Sequence, residues 1–256
     1  MQFTVDSDTL KDAFTSIQVK GKHLTNTGFT NSSIGQYAYC SLEDNTLTMY
    51  NGDSTFIVCL TLEVTGQKNG AVVIDSKEIL PYLRSFSGHN ASVTVGDYIT
   101  LTSGTRTASI PLVVTHPNQA AVQRMMNMLN HVSYQPEPEL LFNFGKGKFE
   151  GCFTLPQKTF ATCLKNCELV KNGIYKLDFK EEVVNLSTRM NVQNKYQEHL
   201  EPMFTLGEGA TIEFSGPLYS FFNEGQLMNF YMKDEFPLLI VSDDRMLIKA
   251  PYVNGE

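Results

Sequence analysis

Hydrophobic positions in this chain follow one pattern that is stated twice. Phe3 and Val5 alternate with polar residues and then give way to Leu10, Ala13, Phe14 and Ile17. The same switch from period two to an i, i+3, i+4, i+7 stripe returns 150 positions later, where Phe153 and Leu155 lead into Phe160, Cys163, Leu164 and Cys167. Each copy predicts a half-buried strand feeding an amphipathic helix. A second pair runs at an offset of 139, with Val73, Ser76, Ile79, Tyr82 and Leu83 matching Ile212, Ser215, Leu218, Phe221 and Phe222. Ser76 and Ser215 stand where N-caps belong, each offering an acceptor oxygen to an orphan amide. Two matches in the same order predict two similar halves, each with two strand–helix units and several plain strands.

The remaining segments read as strands. In the first half these are Gln36 to Glu43, Thr46 to Tyr50, Thr55 to Val64, Ala71 to Asp75, Ser92 to Val95, Tyr98 to Thr102 and Arg106 to Val114, with Gly66 to Gly70 as a turn. Helices are predicted from Asp8 to Val19 and from Lys77 to Phe86, the second shortened or bent by Pro81. Residues 117–138 read as a linker bounded by prolines, with Val122, Met125, Met126 and Leu129 at helical spacing inside it. The second half offers strands at Leu140 to Phe144, Lys148 to Leu155, Ile174 to Phe179, Val183 to Met190, Tyr196 to Leu206, Ala210 to Phe214, Gln226 to Met232, Pro237 to Val241 and Arg245 to Ala250. Its helices are Gln157 to Leu169 and a short one from Pro217 to Asn223. Many strands with few helices predict an α+β protein dominated by antiparallel sheet, divided into domains 1–116 and 139–256 around the linker.

Composition narrows the function. The chain has 256 residues, 42% of them hydrophobic, with 17 Phe and 11 Tyr, enough to fill two cores. Its apolar runs are too short to cross a bilayer, and Met1 opens directly in a strand pattern, so neither a membrane span nor secretion is expected. Five cysteines without framework spacing fit a reducing compartment, in which three glycosylation sequons would be accidental. A net charge of −7 argues against tight, adhesive nucleic-acid binding but not against positive charge gathered on one face.

Helical wheels show where such charge falls. With each apolar stripe turned inward, the opposite faces carry Lys77, Pro81 and Arg84 on one helix and Lys158, Thr162 and Lys165 on another. The first helix instead presents Asp8, Asp12 and Thr15, with Lys11 on its flank, and the last offers Ser220 and Asn223. An ordinary solvated face is the default reading of such lysines; the contrast with an acidic chain, recurring in both halves, weighs against it. No segment carries a phosphate-binding or dinucleotide glycine pattern, the five histidines are scattered, and Cys163 and Cys167 sit on the buried stripe. Nothing assembles a nucleophile, base and oxyanion donor, so no enzyme activity, metal or cofactor is expected.

Tandem copies of a domain with two β-α units resemble the DNA sliding clamps, above all the two-domain trimeric type represented by proliferating cell nuclear antigen and related phage clamps. The likeness extends over the whole chain. Phe3-Thr-Val5 with Leu10 and Phe14 is similar to the opening of clamp domains, and Leu47-Thr-Met49 through Leu60-Thr-Leu62 to their early strand pair. Pro237-Leu-Leu-Ile-Val241 followed by Ile248-Lys-Ala-Pro251 resembles their last two strands and tail. The resemblance implies a processivity factor for DNA replication and repair: a homotrimeric ring with sheets outside and two helices per domain lining the hole. Lys77, Arg84, Lys158 and Lys165, with Lys11, Lys20 and Lys171, would then face double-stranded DNA without reading its sequence. It also implies a pocket where a DNA polymerase, a clamp loader and other clamp-binding-motif proteins dock. Met49, Pro237, Ile248, Ala250 and Pro251 match its positions, and Met125, Met126, Met128 and Leu129 lie in the corresponding linker. Subunits would join by edge strands, Arg106 to Val114 of one chain against Val183 to Met190 of the next. The compartment would be cytoplasm or nucleoid, nucleus, or host cytoplasm for a virus. A monomeric or heteromeric clamp-like subunit, and a scaffold protein that binds no DNA, are the alternatives.

Overall fold

A computed structural model of the chain describes residues 1–18, 37–52, 55–113, 127–135, 141–170, 173–188 and 195–252. They fall into two compact units, the second beginning near residue 124. In the first unit, β1 (Gln2–Asp6) leads into α1 (Ser7–Ser16). Then come β2 (Tyr37–Glu43), β3 (Thr46–Gly52), β4 (Phe56–Glu63), β5 (Thr65–Lys68) and β6 (Gly70–Asp75), followed by α2 (Ser76–Ser85), β7 (Asn90–Val95), β8 (Tyr98–Ser103) and β9 (Arg106–Pro111). Two runs of antiparallel strands result, β5-β1-β7-β8-β9 and β4-β3-β2-β6.

The second unit opens with a small sheet of β10 (Val132–Gln135), β11 (Leu141–Phe144) and β12 (Gly147–Lys148). After it come β13 (Gly151–Pro156), α3 (Gln157–Glu168), β14 (Ile174–Lys180), β15 (Val183–Thr188), β16 (Gln197–Leu200), β17 (Phe204–Gly207) and β18 (Ala210–Ser215). A 3₁₀ turn (Leu218–Phe221) precedes β19 (Leu227–Met232), β20 (Leu238–Val241) and β21 (Arg245–Lys249). Its strand orders, β17-β13-β19-β20-β21 and β16-β15-β14-β18, repeat those of the first unit strand for strand. The duplicated pattern is a duplicated topology.

The first repeat holds residue by residue. Phe3, Leu10, Phe14 and Ile17 are buried, as are Phe153, Phe160, Leu164 and Cys167. Phe153 stacks on Phe230 at 4.8 Å between ring centres, and Phe160 meets the same ring edge-on at 4.9 Å, so α3 is seated on its sheet by aromatic packing. The second repeat is out of phase by one. Val72 and Ile74 point into the core, and so do Ile212 and Phe214, which places the strands at an offset of 140. A one-residue slip exchanges the faces of a strand, and the matched serines part with it. Asp75, not Ser76, caps α2, accepting from the Lys77 amide at 2.8 Å. Ser76 is buried with its hydroxyl unpaired, and Ser215 ends β18 ahead of a 3₁₀ turn in place of a second full helix.

Three further expectations change. Residues 66–70 form no simple turn, because Thr65–Lys68 pairs with β1; a Cβ on Gly66 would lie 1.6 Å from the Asp44 carbonyl oxygen, so only glycine fits there. Tyr196 to Leu206 is two strands in different sheets, turned at Pro202. Finally, β15 has β14 on one side and β16 on the other. It has no open edge for a neighbouring chain, and the edge strand there is β16. α2 runs on through Pro81 for ten residues. Of the linker helix, Val122, Met125 and Met126 lie outside the described residues.

Candidate nucleic-acid interface and docking face

Each unit fastens its helices by the same two devices. Ser7, first residue of α1, donates its hydroxyl to the Phe86 carbonyl at 2.8 Å, and its amide donates to His89. Gln157, first residue of α3, donates its side-chain amide to the Tyr219 carbonyl at 3.0 Å, and its backbone amide donates to Gln226. The second device is an arginine opening the last strand: Arg106 donates to the Ser85 carbonyl, and Arg245 to the Phe221 carbonyl at 2.8 Å. The positions of Arg106 and Arg245 after Ser103 and Ser242 repeat at an offset of 139, a signal present in the sequence that periodicity alone did not select.

The helix surfaces held in this way carry the candidate DNA-facing residues. Lys77 and Arg84 are exposed on α2, and Lys158 and Lys165 on α3. Both pairs are spaced i, i+7, two turns or about 10.5 Å along one helix face. Among the described residues no carboxylate pairs with Lys77 or Arg84. Lys158 lies 3.9 Å from Glu224 with both side chains exposed, a contact of little worth in water. Lys165 sits 5.3 Å above the Tyr219 ring, which steadies the ammonium without cancelling its charge.

Lys11 is different. Its ammonium is 2.6 Å from Asp8 and 3.8 Å from Asp12. Asp8 also accepts from the Gly88 amide and the Ser87 hydroxyl, both just past α2. These donors, Lys11 foremost, lower its carboxyl from 3.8 to about 2, and Asp8 in turn raises Lys11. The pair thus belongs to the α1–α2 joint, and α1 presents Asp12 beside it. Lys20 and Lys171 lie outside the described residues.

The second candidate surface is the sheet face turned away from α3. Cross-strand register lines up Leu206, Cys152, Tyr231, Leu239 and Ile248 as one apolar row across all five strands. The row that follows is Phe204, Thr154, Asn229, Val241 and Met246. Phe149 joins the first row, and Met128, Leu129, Val132, Phe142, Phe144 and Phe236 pack on it from the segment holding β10 to β12 and from the β19–β20 turn. The Phe236 ring fills the place a Cβ on Gly147 would occupy, 2.1 Å away, which draws the β11–β12 hairpin down. The corresponding rows of the first unit are Lys68, Gln2, Thr94, Thr100 and Ser109, and Thr65, Thr4, Ser92, Thr102 and Thr107. They are polar throughout. The same fold thus tolerates a wetted face, whereas the second unit covers its apolar row: Cys152, Tyr231, Leu239 and Ile248 are buried, and half-buried Met128, Leu129, Val241 and Met246 form the rim.

Met128 and Leu129 are half-buried and pack on this face, whereas Ile248 is buried in the row they cover. Pro237, Ala250 and Pro251 are half-buried in the second unit, and Met125 and Met126 fall outside the described residues. Met49 is fully buried in β3 of the first unit and presents no surface. Cys59 and Cys152 have thiols pushed up to about 12 by burial, which leaves them unreactive. Among the described residues no group of three His, Cys, Asp or Glu could hold a metal ion, and no helix is long and apolar enough to cross a membrane.

No family model and no curated protein matches the chain by sequence. Solved structures do. A putative DNA polymerase III beta subunit from Eubacterium rectale superposes with a TM-score of 0.74 at 13% identity, over 99% of this chain and 66% of that one. The A. fulgidus PCNA with the C-terminal region of FEN-1 bound gives 0.71 at 12% identity, over 100% of this chain and 99% of that one. The Helicobacter pylori beta clamp bound to a DNA ligase peptide gives 0.67 at 12% identity, over 100% and 68%. The chain spans only about two thirds of the bacterial clamps it matches, 64% in a second H. pylori structure.

Proposed function

We propose, from the sliding-clamp fold that this chain has, that it is a DNA polymerase processivity factor: a homotrimeric ring that encloses duplex DNA and tethers replication proteins to it. The observation that carries the reading is the pair of i, i+7 cationic helix faces, Lys77 with Arg84 and Lys158 with Lys165, in a chain of net charge −7. Enclosure replaces affinity, so a few bases facing phosphates, with none reading base edges, allow the ring to slide. The acidic balance elsewhere keeps duplex from adhering to other surfaces.

Closure would come from sheet edges. β9 and β16 each have one open side within their own sheets, and every pairing within the units is antiparallel. Pairing β9 of one chain with β16 of the next is a head-to-tail contact that closes a ring and covers both edges. The two clamp domains, residues 1–116 and 139–256, would be joined through 117–138. By likeness to the archaeal clamp that binds FEN-1 and the bacterial one that binds a ligase peptide, the half-buried rim of the second unit's apolar cluster, Met128, Leu129, Val241 and Met246, would receive short apolar motifs of a polymerase, a clamp loader and repair proteins. No catalytic role is assigned to the chain, which would act wherever its DNA is copied.

Sedimentation should give three times the chain mass of 28.7 kDa. Protein loaded on closed circular duplex should remain through gel filtration and escape once the circle is cut. A monomeric mass, or equal escape from circular and linear DNA, rejects the ring.

A further inference from the structure

The corner between β16 and β17 exposes apolar surface that the fold does not require. Met203 is 66% exposed and Phe204 49%. In the first unit the equivalent corner, between β4 and β5, is Glu63-Val64-Thr65, and its one apolar residue, Val64, is buried. The duplication supplies the control: the same turn closes in one copy and stays open, with two large apolar side chains outward, in the other. A cleft of about 460 Å³ lies against it, lined by Glu182, His199, Glu201, Pro202, Met203 and Phe204. Neither Glu182 nor Glu201 pairs with a base among the described residues, so the cleft is mostly polar and carries two unpaired carboxylates, with Pro202, Met203 and Phe204 as its apolar part.

Beside the cleft runs an open strand edge. Among the described residues β17 pairs only with β13, leaving its other side free. Phe204 and Leu206 share one face of β17 by strand period, and Leu206 ends the apolar row. A strand added to this edge would continue both rows outward, setting alternate apolar side chains beside Phe204 and Leu206.

We propose that the β17 edge and the Met203–Phe204 corner form a docking site for an extended segment of a partner protein, one in which apolar residues alternate with Lys or Arg. The segment adds as an antiparallel strand, its backbone supplying the hydrogen bonds, and its cationic residue lies at Glu182 and Glu201. The site depends on the second unit alone and stands whether or not the chain encloses DNA.

The test uses the full chain and a fluorescein-labelled ten-residue peptide alternating valine and lysine, followed by anisotropy. Controls are a peptide alternating valine and glutamate and one with the same five lysines and five valines in two blocks. Binding of the alternating cationic peptide alone is expected. F204S and the double variant E182K/E201K should each weaken it by about tenfold or more, and amide exchange at residues 205–207 should slow in the complex. Phe204 is half exposed, so F204S should keep the wild-type unfolding midpoint; a second variant, M203S, guards against a local effect of one site. Equal binding of either control peptide, unchanged affinity in both F204S and M203S, or an altered sedimenting mass in those variants would each overturn the proposal, the last by assigning the corner to a contact between copies.

Discussion

Ser7 and Ser76 both open a helix and are both fully buried, yet their hydroxyls fare differently. The Ser7 hydroxyl holds the carbonyl at the end of α2, whereas that of Ser76 has no partner. Removing a buried hydrogen bond costs about 1–2 kcal/mol, and removing an unpaired buried hydroxyl restores what its desolvation cost. Urea unfolding of Ser7→Ala should therefore show a loss of about that size, while Ser76→Ala should be neutral or slightly stabilised. Asp8 supplies a pH signature. Its carboxyl is held at about 2 in the folded chain against 3.8 ordinarily. A lowered carboxyl stabilises the folded form fully above its ordinary value, and that contribution disappears as pH falls through the folded one. The difference in Tm between wild type and Asp8→Asn should be constant at neutral pH and shrink between pH 3.8 and 2; a difference that stays flat would mean that Asp8 does not bind the α1–α2 joint as a carboxylate.

At the level of elements, β16 can be tested by where its amides point. Alternate residues of an edge strand direct their N–H and C=O groups outward, so proline at one of Glu198 and His199 should abolish ring assembly and leave the fold intact. Proline at the other breaks the ladder to β15 and should lower Tm instead. Gly147→Ala forces the Phe236 ring aside and should cost about 1–3 kcal/mol by overpacking, with faster amide exchange confined to β11 and β12. The sequence made the elements legible wherever burial followed one local period, as in Phe3 to Ile17 and its copy at Phe153 to Cys167. It misled where a tertiary contact set the outcome. β5 hid behind Gly66 and Gln67, since its pairing relies on a glycine beside the Asp44 carbonyl, not on apolar alternation. The slip from 139 to 140 arose from reading two serines as caps when the adjacent Asp75 reaches the amide. The apolar row was beyond local reading altogether, because its members lie on five strands that only register aligns.

At the scale of the molecule, the four exposed bases make the clearest prediction. Reversing Lys77, Arg84, Lys158 and Lys165 to glutamate should leave the sedimenting mass unchanged and shorten retention on circular duplex, with a weaker salt dependence than wild type. Normal stimulation of a cognate polymerase by that variant would remove these helix faces from the DNA path. The wheel already set Lys11 on the flank of α1, apart from the face that carries the four bases, but only the fold shows its ammonium bound to Asp8. The unequal sheet faces of the two units bear on traffic. In the proposed trimer each chain would bring one apolar rim, in its second unit, and one polar Thr/Ser panel, in its first. Client proteins would then have at most three berths, one to a chain. Enzymes arriving in turn would have to queue for a vacant berth.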